Sequence, residues 1–428
     1  MNAASFLLAA ALLTPAAELP VGPTDWPQWR GPNRDGVSLQ KGLLDEWPKD
    51  GPKKLWTVEG VGGGYSSVAV AGGFLFGTGR VNGKEVVWCR NEKDGSPAWS
   101  TPIGDGRKVG YDEGMRSTPT VAGGLVYCVT VGGDVVAVTA DKGTEKWRKS
   151  FTKDFGGQVQ SWGYCESVLV DGDTLICTPG SAKAAVVALK AASGEEIWRT
   201  PVTNPGGAQG YSSAAKTKVG DTEMYVVLLG KKGGVVGVDA KSGKLLWQYA
   251  GVMNGTANIP TPVVKGDLVF VSTGYGDGGS ALLKIVPDGD GFTAKEVVKY
   301  GAKELQNHHG GMVLVGDSIY FGYGHGQGNP CCVELKTGEV KWKEKGGAGG
   351  GSGSAGVVAA DGLLVFNYQN GKVVLLKADP TKLAVAGSFT IPQKSGKNNW
   401  AHPVIANGKL FLRDQDKLHC FDLLKPGS

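Results

Sequence analysis

The chain contains 428 residues, of which 70 are glycine and 41% are hydrophobic. This glycine content is about twice the usual share of roughly 7% and is typical of many short strands joined by tight turns, while the apolar fraction excludes an intrinsically disordered chain. Lys and Arg outnumber Asp and Glu by 45 to 40 and are scattered along the chain, a distribution that argues against a nucleic-acid-binding protein.

The first residues of the chain resemble an export signal. Their apolar run, from Phe6 to Leu13, is shorter than the ~20 residues that a membrane-spanning helix needs, and Thr14, Ala16 and Ala17 offer cleavage sites. No later segment of the sequence is apolar enough to span a membrane. We therefore expect a signal peptide at residues 1–17, a leader segment at residues 18–53, and a periplasmic or secreted protein without a transmembrane segment.

A glycine placed four residues before a tryptophan recurs along the rest of the chain. These pairs are Gly95 and Trp99, Gly143 and Trp147, Gly194 and Trp198, Gly243 and Trp247, and Gly338 and Trp342. Successive tryptophans are 48, 51, 49 and 95 residues apart, so the last interval holds two repeats. Tyr300 lies near the position where the missing tryptophan is expected.

Glycine-containing turns between two apolar segments provide an independent count. They lie 46 to 51 residues apart, at Gly72, Gly123, Gly172, Gly220, Gly266, Gly316, Gly362 and Gly408. Each unit is predicted to contain four strands, A to D, with Leu268–Ser272 as a typical B strand, Val235–Asp239 as a typical C strand and the tryptophan on strand D. Because such a unit is typical of a propeller blade, the sequence predicts an all-β, eight-bladed β-propeller at residues 54–428.

The two ends of the repeat region complement each other. A lone strand at Lys54–Val58, containing Trp56, precedes the first unit, while the last unit, Asn399–Leu424, has strands A, B and C only. Pairing the lone strand with the last one would complete blade eight and leave no open sheet edge. Two separate four-bladed domains are the alternative. We expect the strand-D tryptophans to pack between neighbouring blades: Trp56, Trp99, Trp147, Trp198, Trp247 and Trp342.

In a propeller, the D–A and B–C connections share one face and surround an axial funnel, and binding groups concentrate on such loops. The sequence places a set of polar and aromatic residues on this face. The candidate ligand-binding residues are Tyr65, Asp112, Glu113, Arg116, Trp162, Tyr211, Asn258, Asn307, His308, His309, His325, Trp400 and His402.

These residue types are compatible with several chemistries. The four histidines of the set have the side chains for a metal site or a proton shuttle, or they cap loop carbonyls. Asp112, Glu113 and Arg116 suit an anionic ligand or a calcium ion, or form an ion pair within a solvated loop. Aromatic rings in the funnel would stack on a quinone or a sugar ring, or plug the channel. The sequence assigns no catalytic residue and no metal ligand.

Four segments resemble one protein family. Residues 235–247 (VVGVDAKSGKLLW) resemble the tryptophan-docking motif of the pyrroloquinoline-quinone-like (PQQ-like) propellers, and residues 25–36 (DWPQWRGPNRDG) resemble the leader of their bacterial, planctomycete-type members. Residues 307–311 (NHHGG) and 324–327 (GHGQ) are similar to a segment of the same group. The resemblance spans roughly residues 25 to 424.

The resemblance implies two functional classes. Some members of the family are quinoprotein dehydrogenases that bind PQQ and calcium above the ring, and others are non-enzymatic periplasmic scaffolds such as the outer-membrane assembly lipoprotein. This chain lacks long inter-blade insertions and a recognisable calcium-ligand set. Its adjacent Cys331 and Cys332 resemble the vicinal pair of the dehydrogenases, yet they enter a predicted strand C, where ordinary packing is the usual role of cysteine.

We therefore expect an exported, non-catalytic, monomeric propeller that binds a small molecule or a protein partner at its funnel face, without nucleic acid. The alternative is a quinoprotein-type oxidoreductase that uses PQQ and calcium to oxidise an alcohol or a sugar. A hydrolase or lyase built on the histidines is a third reading. The seven cysteines are odd in number and loosely spaced, which argues against a disulfide framework and leaves their redox state open.

Overall fold

The computed structural model describes residues 19–111, 113–204 and 210–427. Within these ranges the chain forms eight sheets, each built from four antiparallel strands, and one sheet gains a fifth, parallel strand. The prediction of an all-β, eight-bladed propeller is confirmed. The signal peptide predicted at residues 1–17 lies outside the described residues. No helix in the described ranges is both long and apolar enough to cross a membrane.

The strands follow the chain blade by blade. Before the first blade lie β1 (Val37–Ser38) and β2 (Lys54–Val58). Blades one to four contain β3 (Ala69–Ala71), β4 (Phe74–Val81), β5 (Lys84–Asn91), β6 (Pro97–Gly104); β7 (Thr120–Ala122), β8 (Leu125–Val129), β9 (Asp134–Thr139), β10 (Glu145–Ser150); β11 (Leu169–Asp171), β12 (Thr174–Cys177), β13 (Val186–Lys190), β14 (Glu196–Thr200); β15 (Ala215–Val219), β16 (Thr222–Leu228), β17 (Val235–Asp239) and β18 (Leu245–Tyr249).

Blades five to eight contain β19 (Val263–Lys265), β20 (Leu268–Thr273), β21 (Gly279–Asp288), β22 (Gly291–Gly301); β23 (Met312–Val315), β24 (Ser318–Tyr323), β25 (Asn329–Glu334), β26 (Val340–Lys343); β27 (Ala355–Ala360), β28 (Leu363–Tyr368), β29 (Lys372–Lys377), β30 (Val385–Thr390); and β31 (Val404–Ala406), β32 (Lys409–Asp414) and β33 (Lys417–Asp422). A single 3₁₀ turn, Ala348–Gly350, interrupts the connection between blades six and seven. All eight predicted glycine turns lie between the first and second strands of a blade.

The ring closes as the sequence predicts. Strand β2 pairs antiparallel with β33, so the start of the repeat region supplies the outermost strand of blade eight. Blades four and five also contact each other through β15 and β19 and through β18 and β22. The chain therefore forms one continuous ring, and the alternative of two four-bladed domains is wrong.

Trp56, Trp99, Trp147 and Trp198 pack on the glycine of the C–D turn of the following blade, whereas Trp247 donates its indole N–H to Met224 Sδ within its own blade. A Cβ added to Gly243 would lie 2.5 Å from the ring of Trp198, so the turn fits the indole only because it has no side chain. In blade five, Val298 lies opposite Leu282 in the register that Trp247 occupies opposite Gly237 in blade four. Val298 therefore occupies the position in blade five at which most of the other repeats have a tryptophan.

Tyr300, the residue that the spacing singles out, lies two residues beyond this position. Its hydroxyl donates to the Gly338 carbonyl at 2.9 Å, so it contacts the turn that the missing indole would cover. The neighbouring Cys331 and Cys332 are both buried in β25, and the packing of their side chains is divided between two different core clusters. All seven cysteines are free thiols.

The leader segment occupies the central channel. Trp26 forms a bridge with Val70 in the innermost strand of blade one, and the Val121 amide of blade two donates to the Pro27 carbonyl at 2.8 Å. Further along, β1 pairs in parallel with β27, the innermost strand of blade seven. The leader thus follows the channel wall from one blade to the next.

Small hydroxyl residues join neighbouring blades at the start of their innermost strands. The amide of Ser67 donates to Thr118 Oγ1, the amide of Thr118 donates to Ser167 Oγ, and the amide of Ser167 donates to Ser213 Oγ, each at 2.9 Å. These bonds hold the D–A connections of blades one to four in a fixed arrangement around the axis. The same connections form the walls of the cavity described next.

Candidate functional site

A cavity of about 290 Å³ opens on the propeller axis at the face that carries the D–A and B–C connections. We call it the axial cavity. Its lining is mainly aromatic, with four imidazoles and two guanidinium groups. The lining residues are Trp29, Arg30, Tyr65, Tyr111, Arg116, Trp162, Cys165, Ser167, Tyr211, Ser213, Ala257, Ile259, Pro260, Thr261, Tyr275, His308, His309, Gly311, His325, Trp400 and His402.

The structure brings most of the predicted funnel residues to this cavity. Nine of them line it: Tyr65, Arg116, Trp162, Tyr211, His308, His309, His325, Trp400 and His402. Glu113 lies just behind the wall, where its Oε2 accepts the Tyr65 hydroxyl at 2.7 Å. Asp112 lies outside the described residues.

The two predicted asparagines do not line the axial cavity. Asn258 is buried, and its Oδ1 accepts the backbone N–H of Asn254 at 3.0 Å. Asn307 is also buried and donates its Nδ2 to the Gly322 carbonyl at 3.0 Å. Both side chains therefore fix the conformation of the loops that carry the wall residues.

Trp400 is the centre of the aromatic wall. Its ring centroid lies 4.8 Å from that of Tyr65, 5.3 Å from that of Tyr111 and 4.8 Å from that of His309. These residues come from the connections between blades eight and one, one and two, and five and six. Because the innermost strands converge on the axis, loops that are far apart in the sequence place their rings in contact.

Two leader residues, Trp29 and Arg30, complete the lining. Trp29 donates its indole N–H to Thr261 Oγ1 at 3.1 Å, and its ring lies 4.6 Å from that of His402. Sequence reasoning missed both residues because it placed the leader outside the propeller. The concentration of Trp and Arg in residues 25–36 is the signal that would have drawn attention to this segment.

The leader arginines bind backbone carbonyls of the channel wall. The Arg34 guanidinium donates to the carbonyls of Ser167, Val168 and Ala214 at 2.8 to 3.1 Å. Arg30 donates to the Met312 carbonyl of blade six in the same manner. Burial lowers the pKa of Arg34 to about 9, which leaves the group charged at neutral pH. Both arginines therefore anchor the base of the axial cavity.

Arg116 stands at the side of the cavity. Its Nη2 donates to the carbonyls of Gly110 and Tyr111, both at 2.7 Å, and its guanidinium carbon lies 5.4 Å from the Tyr65 ring centroid. Its ring contact is of the cation–π type. The cation is thus held by backbone carbonyls and an aromatic face.

Three of the histidines form a cluster of tilted rings on one wall. The ring centroids of His308 and His309, and those of His308 and His325, lie 4.1 Å apart. Burial lowers the pKa of His308 to about 3, and the neighbouring His325 adds to this effect. Burial also lowers the pKa of His402 to about 4. These imidazoles are therefore neutral at pH 7.

Their hydrogen bonds are structural. His308 Nδ1 lies 3.1 Å from Ser354 Oγ, and His402 donates its Nε2–H to the His309 carbonyl at 3.0 Å. Within the described ranges, no group of three or more His, Cys, Asp and Glu side chains is arranged to hold a metal ion. His402 thus caps a loop carbonyl, as one of the alternatives for the histidines predicted, whereas His308 bonds a hydroxyl.

A calcium-bound quinone would need oxygen ligands on the wall of the axial cavity. Calcium takes carboxylate, carbonyl and side-chain amide oxygens. The described lining residues contain neither a carboxylate nor a side-chain amide, and nearby Glu113 already accepts the Tyr65 hydroxyl. The donor set of the described wall therefore does not fit a calcium-dependent quinone, although its aromatic faces would suit a planar ring.

Comparisons of the sequence with known proteins agree on one family. A family model described as outer membrane protein assembly factor BamB matches residues 44–209 and 106–344. The chain is 28% identical over 262 residues to the outer membrane protein assembly factor BamB of Burkholderia pseudomallei, a match that covers 52% of this chain and 66% of that protein. It is 25% identical over 344 residues to the protein of the same description from Yersinia pestis, covering 76% and 78%.

A third relative is an enzyme. The quinohemoprotein alcohol dehydrogenase ADH IIB of Pseudomonas putida is 25% identical over 187 residues, which are 42% of this chain and 26% of that protein.

Solved structures show the same fold at low identity. BamB from Moraxella catarrhalis superposes with a TM-score of 0.60 at 14% identity and covers 86% of this chain and 97% of its own. Quinohemoprotein alcohol dehydrogenase from Comamonas testosteroni superposes with a TM-score of 0.66 at 15% identity, covering 93% and 80%. At such identities the likeness establishes the fold alone. Because the family model matches most of the propeller, the chain belongs to the PQQ-like β-propeller family whose model is described as outer membrane protein assembly factor BamB.

Proposed function

We propose that this chain is a non-catalytic propeller that binds a ligand, or a side chain of a protein partner, in the axial cavity. The observation that carries the proposal is the cavity itself: about 290 Å³ of space with a mainly aromatic wall built from the inter-blade loops and the leader. Concave, largely apolar pockets with a few fixed polar groups are typical of ligand sites.

The protonation states of the wall favour binding over catalysis. General acid–base catalysis works best with a pKa near the operating pH, but burial lowers the pKa of His308 to about 3 and that of His402 to about 4. Burial raises the pKa of the Cys165 thiol to about 11, which leaves little thiolate for nucleophilic attack at pH 7. The wall therefore presents neutral rings and a neutral thiol.

The electrostatics of the wall disfavour a cationic ligand. Arg116 already occupies one face of Tyr65, and Arg30 lies among the leader residues of the lining. An aromatic cage that binds cations needs free ring faces and benefits from a nearby carboxylate. The occupant we propose is uncharged or anionic.

The relatives support a cell-envelope setting. Two of them are described as outer membrane protein assembly factors, and we propose that this chain likewise acts in the periplasm or at the outer membrane, as a monomer with a protein or small-molecule partner. The quinohemoprotein relative supports the alternative, a PQQ- and calcium-dependent oxidoreductase. The donor set of the described wall argues against that alternative.

Fluorescence titration with N-phenyl-1-naphthylamine, a neutral aromatic probe, tests the binding proposal. We expect saturable binding to the wild type and at least tenfold weaker binding to Trp162→Ala and Trp400→Ala. The control is Val297→Ala, because Val297 is 45% exposed on an outermost strand and is absent from the lining. Equal affinities in all four proteins would overturn the proposal.

A second titration tests the alternative. PQQ and CaCl₂ are added together while the melting temperature is followed, since a ligand that binds only the folded state raises it by mass action. No shift at saturating concentration excludes the quinoprotein function. A shift accompanied by dye-linked oxidation of ethanol would replace the non-catalytic proposal.

A further inference from the structure

A second cavity lies beside the axial cavity on the same face of the propeller. It has a volume of about 320 Å³ and is located between the D–A and B–C connections of blades seven and eight. We call it the amide cavity, because Gln369, Asn370, Asn398 and Asn399 line it together with three glycines. Lys394 and Lys397 are exposed on its wall.

A hydrogen bond of Trp400 connects the linings of the two cavities. The Trp400 ring lines the axial cavity, while its indole N–H donates to Gln369 Oε1 in the amide cavity at 2.8 Å. Gln369 in turn donates its Nε2 to Asn398 Oδ1 at 3.0 Å. The hydrogen-bond chain therefore fixes the orientation of Trp400 and connects an aromatic wall to an amide wall.

The amide wall retains free hydrogen-bonding capacity. Asn398 uses its Oδ1 for Gln369, and in the described part of the chain its Nδ2 has no protein acceptor. The Asp414 carboxylate is already paired, since it accepts the amide and the hydroxyl of Ser395 at 2.6 and 2.7 Å. The wall is thus dominated by neutral amide groups and by the two lysines.

Aromatic faces next to amides match the chemistry of a sugar chain. A pyranose has an apolar C–H face that packs on an aromatic ring and a rim of hydroxyls that both donate and accept hydrogen bonds. An amide side chain also offers a donor and an acceptor, so it pairs well with such hydroxyls. Apolar peptides or lipid chains would leave the amides without partners, which costs binding free energy.

Resting on the proposed function, we infer that the occupant is an oligosaccharide that passes over Trp400, with one sugar in the axial cavity and the next in the amide cavity. Two sugar units are the minimum, because a single ring cannot fill both cavities. The positive charges of Lys394 and Lys397 also favour sugars that carry a carboxylate.

Calorimetric titration tests the inference. The probes are the mono-, di- and tetrasaccharides of glucose (β-1,4), N-acetylglucosamine (β-1,4) and galacturonic acid (α-1,4). At least one series is expected to bind, with affinity rising tenfold or more from the monosaccharide to the tetrasaccharide, because only the longer chain reaches both cavities. An affinity that does not change with length would overturn the bridging geometry.

Substitutions in each cavity distinguish the contributions of the two cavities to sugar binding. Asn398→Asp keeps the acceptor for Gln369 and removes the free donor, so in a neutral series it should abolish the tenfold gain with length. Trp162→Ala should weaken short and long chains alike. If the acidic series binds, Lys397→Ala should weaken it at least fivefold. The control, Lys336→Ala, alters an exposed lysine in the C–D turn of blade six and should change nothing.

The failure of this inference differs from the failure of the proposed function. If no oligosaccharide binds while N-phenyl-1-naphthylamine binds to the wild type and is lost in Trp162→Ala, the sugar class is wrong and the cavity still binds ligands. If neither the sugars nor the naphthylamine bind, both proposals fail. If Asn398→Asp retains the full gain with length, the amide cavity takes no part in binding.

Discussion

Trp56, in the second strand of the chain, lies directly opposite Cys420, in the last strand, and this antiparallel pair closes the ring. The Trp56 ring also lies 6.0 Å from Phe411 and packs against the Gly95 turn of blade one. A single side chain therefore joins blades eight and one. Both edges of β33 are thereby paired, with β32 on one side and β2 on the other, so the last strand of the chain is not left as an open edge.

Replacing this indole should destabilise the whole ring. We expect Trp56→Ala to lower the free energy of unfolding by about 3 kcal/mol, since large aromatic side chains in packed sites cost roughly that amount when truncated. The measurement is urea unfolding followed by tryptophan fluorescence. Leu55→Ala is the matched control, because Leu55 is 39% exposed in the same strand and its loss should cost less than about 0.5 kcal/mol. Equal effects of the two variants would refute the role given to Trp56.

The tryptophan-docking turns should be far less tolerant than other glycine turns. Gly243 has φ +72° and a Cβ there would meet the Trp198 ring, whereas Gly172 has φ +57° and open space around its Cβ position. We expect Gly172→Ala to cost about 1 kcal/mol from backbone strain alone and Gly243→Ala about 3 kcal/mol, because overpacking adds 1–3 kcal/mol. Urea midpoints of the two variants provide the comparison, and similar midpoints would contradict it.

The leader should contribute to the stability of the propeller through Arg34. We expect Arg34→Ala to destabilise the fold by about 3 kcal/mol, because buried carbonyls of Ser167, Val168 and Ala214 lose their donor. Arg34→Lys should recover only part of this loss, since an ammonium lacks the planar fork. Arg107→Ala, at an exposed arginine, is the control. A fully stable Arg34→Ala protein would show that the leader is dispensable for folding stability.

Stability should fall as the pH is lowered from about 6.5 toward 4. Burial lowers the pKa of the fully buried His419 to about 4, so in this window the unfolded chain binds a proton that the folded chain excludes. Between pH 7 and pH 5, the free energy of unfolding of His419→Gln, measured in urea, should therefore fall by about 1–2 kcal/mol less than that of the wild type.

Protonation of Glu166 should change the stability in the opposite direction to protonation of His419. Burial raises the pKa of Glu166 in the folded state to about 7, above its ordinary value of 4.5 in the unfolded chain. Between these two pH values the folded state binds the proton more strongly, so Glu166 contributes stability as the pH falls from about 7 to 4.5. Glu166→Gln should steepen the loss of stability between pH 7 and pH 5. The same pH profile in wild type, His419→Gln and Glu166→Gln would refute both assignments.

Most of the ring was predictable from local patterns. Each glycine turn between two apolar strands marks one hairpin, and the spacing of these turns reports the number of blades directly. The Trp56 strand was predictable for the same reason, because the last unit lacks its fourth strand. Val298 was harder to place: a β-bulge between Leu282 and Leu283 sets the register, and no local pattern marks it as the equivalent of a tryptophan.

The candidate site was predictable only as a list of residues on one face. The phase of the repeat places His308 and Trp400 on connections that face the axis, yet it does not say which side chains line the cavity and which, like Asn307, turn away to bind backbone. The role of the leader could not be read from the repeat, because residues 25–36 follow no blade pattern.

The amino-acid sequence by itself determined the blade number, the four-stranded unit and the closing strand. The first two depend on backbone pairing between strands that are adjacent in the chain, and periodic turns record such pairing. The closing strand follows because the last unit lacks its fourth strand. The tertiary structure decided that Trp29 and Arg30 complete the axial cavity and that Trp400 connects the linings of two cavities. The physical reason is that Trp29 contacts Thr261, 232 residues away, and Trp400 contacts Gln369 of the preceding blade, 31 residues away. Such distances are determined by the curvature of the closed ring and by the packing of the leader along its axis.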